Sequence, residues 1–232
     1  MYEIYNSSAI EYDELVNHED YRNNLQMFLN RVIDWKDKTV IEFGVGTGRL
    51  TRMYIDHASV VTAYDRSPHM LQRARTNLAA HSKKITLSLC DNLNIHTLNS
   101  KADIVIEGWS FGHTVGDNPG NIEQTVDNLV TSCFSILNPG GKLVVIETLG
   151  TNVDSPIEPG NFLPTFYSLL ETKHGFKRYV VSTDYKFASC KDAARIAGFF
   201  FGDAMKEDIL RTNKQIIPEF TGIWIKEKSD QS

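Results

Sequence analysis

Three glycines separated by single residues, Gly44, Gly46 and Gly48, form the stretch of this sequence with the clearest chemical potential. They follow the short apolar run of Val40 and Ile41 and precede residues 49–55, which can form a helix, so the pattern predicts a strand, a tight loop and a helix. Glycine adopts positive φ without steric penalty, and the following helix directs free N–H groups at the loop. A ligand can therefore lie almost on the backbone here.

The spacing of these glycines argues against a dinucleotide. A dinucleotide fingerprint reads G-x-G-x-x-G, and counted from Gly44 its third glycine would fall on Arg49. Glu42 stands two residues before the first glycine, where a carboxylate would repel a pyrophosphate but attract an amino or sulfonium group. The alternative is a turn without a ligand, but three glycines cost stability that an empty turn has no reason to bear.

Two further acids follow predicted strands. Residues 60–64 form a second apolar run that ends at Asp65, and residues 85–90 form a third that ends at Asp91. A carboxylate at Asp65 would accept hydrogen bonds from both hydroxyls of a ribose, and Asp91 would accept one from the exocyclic amine of a base. A surface residue at the end of a strand remains the alternative for Asp65.

In this order, the motifs resemble those of the class I S-adenosylmethionine-dependent methyltransferases. Residues 65–71 match the segment after that family's second strand, residues 102–108 its fourth strand, and residues 137–147 its turn into the fifth. The similarity runs from about residue 39 to 150 and is weaker outside that stretch. It implies an α/β fold with a Rossmann-like, doubly wound, mostly parallel seven-stranded sheet whose last strand is antiparallel.

The resemblance also implies a cofactor, S-adenosylmethionine, and the residues that would contact it. The methionine part would lie against the glycines with Glu42 near its amino end, and Asp65 would hold the ribose hydroxyls. The adenine would be flanked by Arg66 and Met70 and would donate to Asp91. Residues at the tip of the fourth strand would lie beside the reacting centre. The full set is Glu42, Gly44, Gly46, Gly48, Asp65, Arg66, Met70, Asp91, Asn92 and Glu107.

His113, six residues beyond Glu107, is the candidate general base. We predict that it lies in a loop after the fourth strand, at the edge of the sheet where a transferred methyl group must emerge. The ordinary pKa of imidazole suits this role, and a solvated or structural histidine is the alternative. Trp109 in the same segment could stack on a planar substrate or on a cation.

These features favour methyl transfer to a small molecule by in-line displacement, which depends mostly on positioning. Nucleobase N-methyltransferases carry Asp or Asn before Pro-Pro-aromatic after the fourth strand, and cytosine C5 methyltransferases carry Pro-Cys there. Residues 107–110 read Glu-Gly-Trp-Ser, which argues against both kinds of nucleobase methylation. Two other functions stay open. One is a catalytically idle module that binds the cofactor or a partner, and the other is a protein or lipid methyltransferase.

The remaining elements would complete the sheet and cover the site. The segment that holds Tyr5 and Tyr12 is poor in apolar residues, which predicts a mobile flap that either closes over a ligand or packs loosely on the surface. Further along we expect helices over 25–33, 121–137 and 189–201, a turn at 138–141, a substrate-covering loop over 150–164, strands over 179–187 and 219–226, and a disordered tail over 227–232. The aromatic run 199–201 would be core or the wall of a substrate pocket.

Length, charge and cysteine content restrict the class of protein. The 232 residues, 41% of them hydrophobic, are expected to form one domain, with a helical cap over 1–38, a cofactor-binding core over 39–150 and a substrate side over 151–232. A net charge of -5 without a basic cluster argues against nucleic acid as a partner. Three widely spaced cysteines indicate reduced thiols rather than a disulfide or a metal site. No secretion or membrane segment is recognisable, so we expect a cytoplasmic monomer or homodimer without membrane contact.

Overall fold

The computed structural model describes residues 8–229, which are organised around a seven-stranded sheet. In chain order the strands are β1 Thr39–Phe43, β2 Val60–Asp65, β3 Ile85–Leu89, β4 Ala102–Gly108, β5 Leu137–Thr151, β6 Lys177–Ser182, β7 Tyr185–Lys186, β8 Ile216–Ile217 and β9 Glu219–Glu227. Across the large sheet the order is β3-β2-β1-β4-β5-β9-β6, and β7 pairs with β8 in a separate small sheet.

The strands β1 to β5 run parallel, and β9 is antiparallel to both of its neighbours, β5 and β6. This confirms the predicted α/β class with a mostly parallel seven-stranded sheet and an antiparallel last strand. The order of the strands along the sheet reverses between β1 and β4, which are neighbours in the sheet. At such a switch point the loops on the two sides diverge and leave a crevice at the carboxyl ends of the strands.

Helices pack on both faces of the sheet. They are α1 Ala9–Val16, α2 Asn24–Val32, α3 Arg49–Arg52, α4 Pro68–Asn77, α5 Phe111–Gly116, α6 Ile122–Ile136, α7 Leu163–Ser168, α8 Cys190–Phe201 and α9 Asp203–Thr212, with a π-helical turn over Leu169–Lys173. One core joins the sheet to α2, α3 and α4, and a second joins its other face to α5, α6 and α7. Successive residues of β5 belong alternately to the two cores, because the side chains of a strand point alternately to its two faces.

The helices predicted over 25–33 and 189–201 are confirmed as α2 and α8, and two helices begin with side-chain caps. Ser67 accepts a hydrogen bond from the N–H of Met70 at the start of α4, and Pro68 occupies the first turn. Ser189 accepts one from the N–H of Asp192 at the start of α8. The helix predicted over 121–137 is α6.

Other predictions are wrong at particular elements. The predicted strand 179–187 is divided, because Asp184 accepts hydrogen bonds from Ser182 Oγ and Glu219 N and turns the chain away from the sheet. The predicted turn 138–141 is an irregularity inside β5, where the pairing with β4 jumps from Ala102–Leu137 to Ile104–Lys142. The sequence pattern also did not reveal α9.

The two ends of the chain differ from their predictions. The predicted flap contains α1, which packs against α8 and α4, and its Leu15 belongs to the apolar cluster that α8 and α9 share. Glu227 belongs to β9, and Lys228 donates its N–H to the carbonyl of Gly141, so these two residues of the predicted tail are ordered. Tyr5 and residues 230–232 lie outside the described residues. Within residues 8–229, none of the helices has the length and apolar character needed to cross a membrane.

Candidate functional site

The glycine loop between β1 and α3 is folded tightly at the level of the backbone. Gly44 and Gly46 have φ angles of 68° and 53°, a region that residues with a Cβ rarely occupy. A Cβ on Gly44 would overlap the Ser110 side chain, whereas a Cβ on Gly46 would meet Tyr12 Cε1 only at 3.7 Å. Gly44 is therefore required for packing, and Gly46 leaves space open in front of the loop.

Asp65, at the end of β2, joins the loop to the start of α4. Its Oδ2 accepts a hydrogen bond from Gly46 N at 2.8 Å, and its Oδ1 accepts one from Ser67 N at 2.8 Å. Burial raises the pKa of this carboxyl, while the two N–H groups oppose that shift. Each carboxylate oxygen can accept a further hydrogen bond. Asp65 can thus brace the loop and still bind hydroxyl groups in front of it.

A cavity of about 370 Å³ lies in front of the glycine loop, at the carboxyl ends of the parallel strands. We refer to it as the cofactor cavity. Most of the residues predicted to contact the cofactor line it: Gly44, Gly46, Asp65, Arg66, Met70, Asp91 and Asn92. Glu42, Gly48 and Glu107 are not part of its lining. The structure thus gathers at one place residues that lie up to 48 positions apart in the chain.

Of the residues predicted to contact the adenine, Asp91 and Arg66 interact with neighbouring protein groups. Asp91 Oδ1 accepts a hydrogen bond from Leu93 N at 2.9 Å and caps the turn Asn92–Thr97. Arg66 Nη1 lies 3.2 Å from Asp117 Oδ2, with both side chains partly exposed. Met70 is buried. The contacts of these three residues with the adenine remain predictions.

Glu42 is buried beneath the glycine loop. Its Oε2 accepts hydrogen bonds from Thr51 Oγ1, at 2.7 Å, and from the Tyr54 hydroxyl. Its Oε1 is buried and has no hydrogen-bond partner within the described part of the chain. Burial raises the pKa of this carboxyl to about 7. A buried carboxylate oxygen without a donor is costly, so a cationic group or a bridging water would stabilise it.

Glu107 organises the chain that leaves β4. Its Oε2 accepts hydrogen bonds from Ser110 N and Phe111 N, both at 3.1 Å, and its Oε1 accepts one from Ile146 N at 3.2 Å. A carboxylate at the first N–H groups of a helix stabilises that end. Glu107 therefore holds the start of α5, and the prediction that it contacts the cofactor gains no support from its position.

His113 lies on α5, so the predicted loop at this position is wrong. The helix begins at Phe111 because Glu107 and Glu147 accept hydrogen bonds from its first N–H groups. Burial lowers the pKa of His113, and the charge of Arg66 lowers it further. The imidazole is therefore neutral near pH 7 and is able to accept a proton.

A second cavity of about 300 Å³ adjoins the cofactor cavity, and we refer to it as the acceptor cavity. Both cavities are lined by Tyr12, Trp109 and His113. Its apolar and aromatic residues come from the two ends of the chain and from the segment around α7: Leu15, Val16, Phe162, Leu163, Tyr185, Phe200 and Phe201. The aromatic run 199–201 thus contributes a wall, as one of its two predicted roles required, while Phe199 is 48% exposed.

Charged residues also line the acceptor cavity, namely Glu19, Arg49, Glu147 and Glu219. Sequence reasoning did not identify them, because Glu19 precedes α2 and Glu219 begins β9, far from the glycine motifs. The position of Glu147 near the carboxyl end of β5 was a usable signal, since ligands bind at that edge of a parallel sheet. The role of Arg49 as a wall residue depends on tertiary packing alone.

Comparisons with known proteins agree with this architecture. A family model described as a methyltransferase domain matches residues 40–141. A protein of Staphylococcus carnosus named "uncharacterized methyltransferase" is 30% identical over 152 residues, which cover 63% of this chain and 67% of that protein. One of the same name from Anoxybacillus flavithermus is 27% identical over 148 residues, 64% of each chain. The chain thus spans slightly less than two thirds of the latter protein.

Solved structures share the fold at low sequence identity. An S-adenosylmethionine-dependent methyltransferase from Clostridium acetobutylicum aligns with a TM-score of 0.50 at 17% identity, over 76% of this chain and 65% of that one. A precorrin 8w decarboxylase from Methanobacterium thermoautotrophicum aligns with a TM-score of 0.55 at 16% identity, over 87% and 88%. Such likeness shows the fold alone, and the family follows from the sequence matches: the chain belongs to the class I S-adenosylmethionine-dependent methyltransferases.

Proposed function

We propose that this protein transfers a methyl group from S-adenosylmethionine to a small molecule. The observation that carries the proposal is the pair of cavities that meet at Tyr12, Trp109 and His113. The glycine loop and the strand-end acids line one cavity, and aromatic residues line much of the other. A donor in the first and an acceptor in the second would meet at the shared residues, and in-line transfer needs this kind of positioning.

The residues around the glycine loop fit the cofactor. Gly46 leaves room in front of the backbone, and Asp65 retains acceptor capacity toward ribose hydroxyls. Glu42 lies beneath the loop, outside the lining of the cofactor cavity, and holds the chain after the loop through Thr51 and Tyr54. When bound, S-adenosylmethionine supplies a methyl group that is activated by the positive charge on its sulfur. The contribution of the chain is to orient the acceptor and to exclude water.

His113 would remove the proton from an acceptor group that carries one. It lines both cavities and is neutral near pH 7, so its ring can accept a proton at the junction. The Glu107 carboxylate fixes the start of α5 and therefore the direction from which His113 approaches. Through its hydrogen bonds to the start of α5, Glu107 would act as a positioning residue for His113.

The size and lining of the acceptor cavity favour a small molecule over a macromolecule. A volume of about 300 Å³ lies at the lower end of ordinary ligand pockets, and the aromatic residues enclose it from several elements. A catalytically idle module would have no use for a second cavity that opens onto the first. A protein side chain or a lipid headgroup as acceptor is an outcome that the experiment distinguishes.

Two measurements test this function. Calorimetry with S-adenosylmethionine, S-adenosylhomocysteine and NAD should show binding of the first two and not of NAD. Incubation with methyl-labelled cofactor and a metabolite extract should then place label in a small molecule, with heat-inactivated protein as control. Binding of S-adenosylhomocysteine without transfer to the metabolite, protein or lipid fractions would identify an idle module. Label that appears only in protein or lipid would contradict a small-molecule acceptor.

A further inference from the structure

The charges that line the acceptor cavity are unbalanced. Glu19, Glu147 and Glu219 contribute three carboxyl groups, and Arg49 is the single arginine or lysine of the described lining. Arg49 Nη2 lies 3.2 Å from Glu19 Oε1, and its guanidinium stacks over the Trp109 ring at 4.4 Å. That arginine makes its ion pair with Glu19, and its charge also acts on Glu219. Three carboxyl groups thus share one cationic side chain in the described lining.

Glu219 is the most informative of these groups. It is 3% exposed, and its Oε1 accepts a hydrogen bond from Thr148 Oγ1 at 2.9 Å. Its Oε2 is buried and finds no donor among residues 8–229, although the side chain lines the cavity. Burial, and then the charge of Glu19, raise the pKa of this carboxyl to about 8. Thr148, Thr151 and the charge of Arg49 oppose this shift without cancelling it, so the carboxyl holds a proton near pH 7 unless a further cation replaces that proton.

Glu147 supports the same interpretation, whereas Glu19 already has Arg49 as its cationic partner. Glu19 Oε1 is buried beside Arg49 without a well-directed hydrogen bond from the described residues. Glu147 Oε1 accepts a hydrogen bond from Gly112 N at 2.6 Å, and burial raises the pKa of its carboxyl. Carboxyl groups buried without cationic partners are unfavourable unless something else satisfies them. A cation in the cavity would pair with the oxygen that Glu219 leaves without a donor.

The aromatic lining suits the same kind of ligand. The rings of Tyr12 and Phe200 lie 5.9 Å apart, and those of Phe200 and Phe201 lie 5.0 Å apart at 81°. The negative faces of aromatic rings attract ammonium groups, and aromatic walls are recurrent in sites for alkylated amines. The same rings would cover an apolar body attached to the amine.

From this arrangement, which rests on the function proposed above, we propose that the acceptor is a small amine. It is bound as an ammonium ion, with its charge at Glu219 and its apolar body against Phe200 and Phe201. The amine is the group that the cavity recognises. The methylated atom is the one that reaches the junction beside His113.

Binding of matched probes tests the recognition directly. Protein saturated with S-adenosylhomocysteine is titrated with 2-phenylethylamine, 2-phenylethanol and 3-phenylpropionate, which share a phenyl body and differ in charge. The amine should bind roughly 10- to 100-fold more tightly than the alcohol, the range expected for a charge-assisted hydrogen bond. Glu219→Gln should remove that preference. Glu227→Gln, an exposed acid on the same strand, should keep it.

Tighter binding of the carboxylate would overturn the inference and would assign recognition to Arg49. Equal binding of all three probes, or a preference that survives Glu219→Gln, would overturn it as well. If none of the three probes binds, the charge of the natural product decides. The labelled product from a metabolite extract, freed of unreacted cofactor, should be retained by a cation exchanger at pH 7. A labelled product that passes through overturns the amine while the proposed methyl transfer stands. Lack of both S-adenosylhomocysteine binding and label transfer overturns the proposed function itself.

Discussion

At the scale of a single side chain, His113 is the residue that we propose to accept a proton from the methyl acceptor. It stands on the first turn of a helix whose start is held by the buried carboxylates of Glu107 and Glu147. Its pKa is lowered mainly by burial, with a contribution from Arg66 that Asp117 opposes. A neutral imidazole held in this way is a competent base near pH 7.

We predict that His113→Ala lowers kcat by about 10²-fold, the usual size of a general-base contribution, and leaves the affinity for S-adenosylhomocysteine within a small factor. In the wild type, kcat/KM should rise with pH through a value below the ordinary imidazole pKa, because the shift is downward. That limb should be missing in the variant. The measurement is a pH–rate profile of both proteins.

The matched control for this prediction is His57→Ala, since His57 is exposed and lies on the turn after α3. It should leave rate and profile unchanged. If His113→Ala keeps both the wild-type rate and the acidic limb, the histidine is structural. The acceptor would then react without help from a base.

Residue types and spacing identified the cofactor side of the site better than the acceptor side. Glycines at alternate positions and acids at the ends of strands are local patterns, and they predicted Gly44, Gly46 and Asp65 as cavity residues. Glu42 and Glu107 were predicted from the same patterns, but their carboxylates point into buried hydrogen bonds. Sequence position places a residue at the tip of a strand without saying which way its side chain points.

At the scale of elements, two positions of the glycine loop that look equivalent in the sequence require glycine for different reasons. Gly44 packs against Ser110 so closely that a Cβ would overlap it, whereas Gly46 faces open space near Tyr12. Both have positive φ. The first position is constrained by the fold, and the second by the ligand that would occupy the space.

Two alanine substitutions should therefore behave differently. Gly44→Ala is expected to lower the melting temperature strongly, because overlap with Ser110 adds to the strain of positive φ. Gly46→Ala should cost only about 1 to 2 kcal/mol of stability, the ordinary penalty for an L-residue in this region. It should nevertheless abolish measurable binding of S-adenosylhomocysteine. Thermal melting and calorimetry measure the two effects.

Gly120→Ala is the control, because a Cβ there would meet no atom within 4 Å among the described residues. It should change neither stability nor binding. Full cofactor affinity in Gly46→Ala would show that the ligand does not approach the loop there. A Gly44→Ala protein as stable as the wild type would contradict the packing argument.

The N-terminal element shows why part of the site was beyond sequence reasoning. Of the apolar residues of helix α1 only Leu15 and Val16 are buried, and its position also depends on contacts with distant segments. Asp13 is buried, accepts a hydrogen bond from Asn77 Nδ2 at 3.0 Å, and pairs with Arg73 Nη2 at 2.8 Å. These contacts join residues about 60 positions apart and bring Tyr12 to the junction of the cavities. A periodicity argument detects an apolar face, and it does not detect the polar contacts of Asp13 that also hold this helix.

At the scale of the whole molecule, several carboxyl groups are buried in surroundings that raise their pKa. Burial raises the pKa of Glu42 and Glu107 to about 7 and that of Glu219 to about 8. In an unfolded chain a glutamate titrates near 4.3. The folded state therefore holds protons that the unfolded state has already lost. The stability that these groups contribute is fully present below the unfolded pKa and is lost as pH rises through the folded value.

We predict that the free energy of unfolding falls between pH 6.5 and 8, by about 1 kcal/mol for each of Glu42 and Glu107 and somewhat more for Glu219. The carboxyls with lowered pKa, such as those of Asp103 and Asp127, titrate below this range. Their stabilisation is lost on acidification, which is the opposite direction. The lowered pKa of His113 acts in the opposite direction, because its destabilising effect fades as pH rises through the unfolded pKa near 6.5, and it offsets only a small part of this fall. Denaturant unfolding at several pH values measures the slope.

The Glu42→Gln variant tests where that slope originates. Glutamine can still accept from Thr51 and Tyr54 but does not titrate, so its stability should depend less on pH by the share of one buried carboxyl. Glu11→Gln, at an exposed position on α1, should reproduce the wild-type slope. A wild-type stability that rises from pH 6.5 to 8 would mean that the buried acids are ionised with partners in solution. An unchanged slope in Glu42→Gln would mean that the carboxyl beneath the glycine loop is already charged at neutral pH, which would strengthen its attraction for a cationic group.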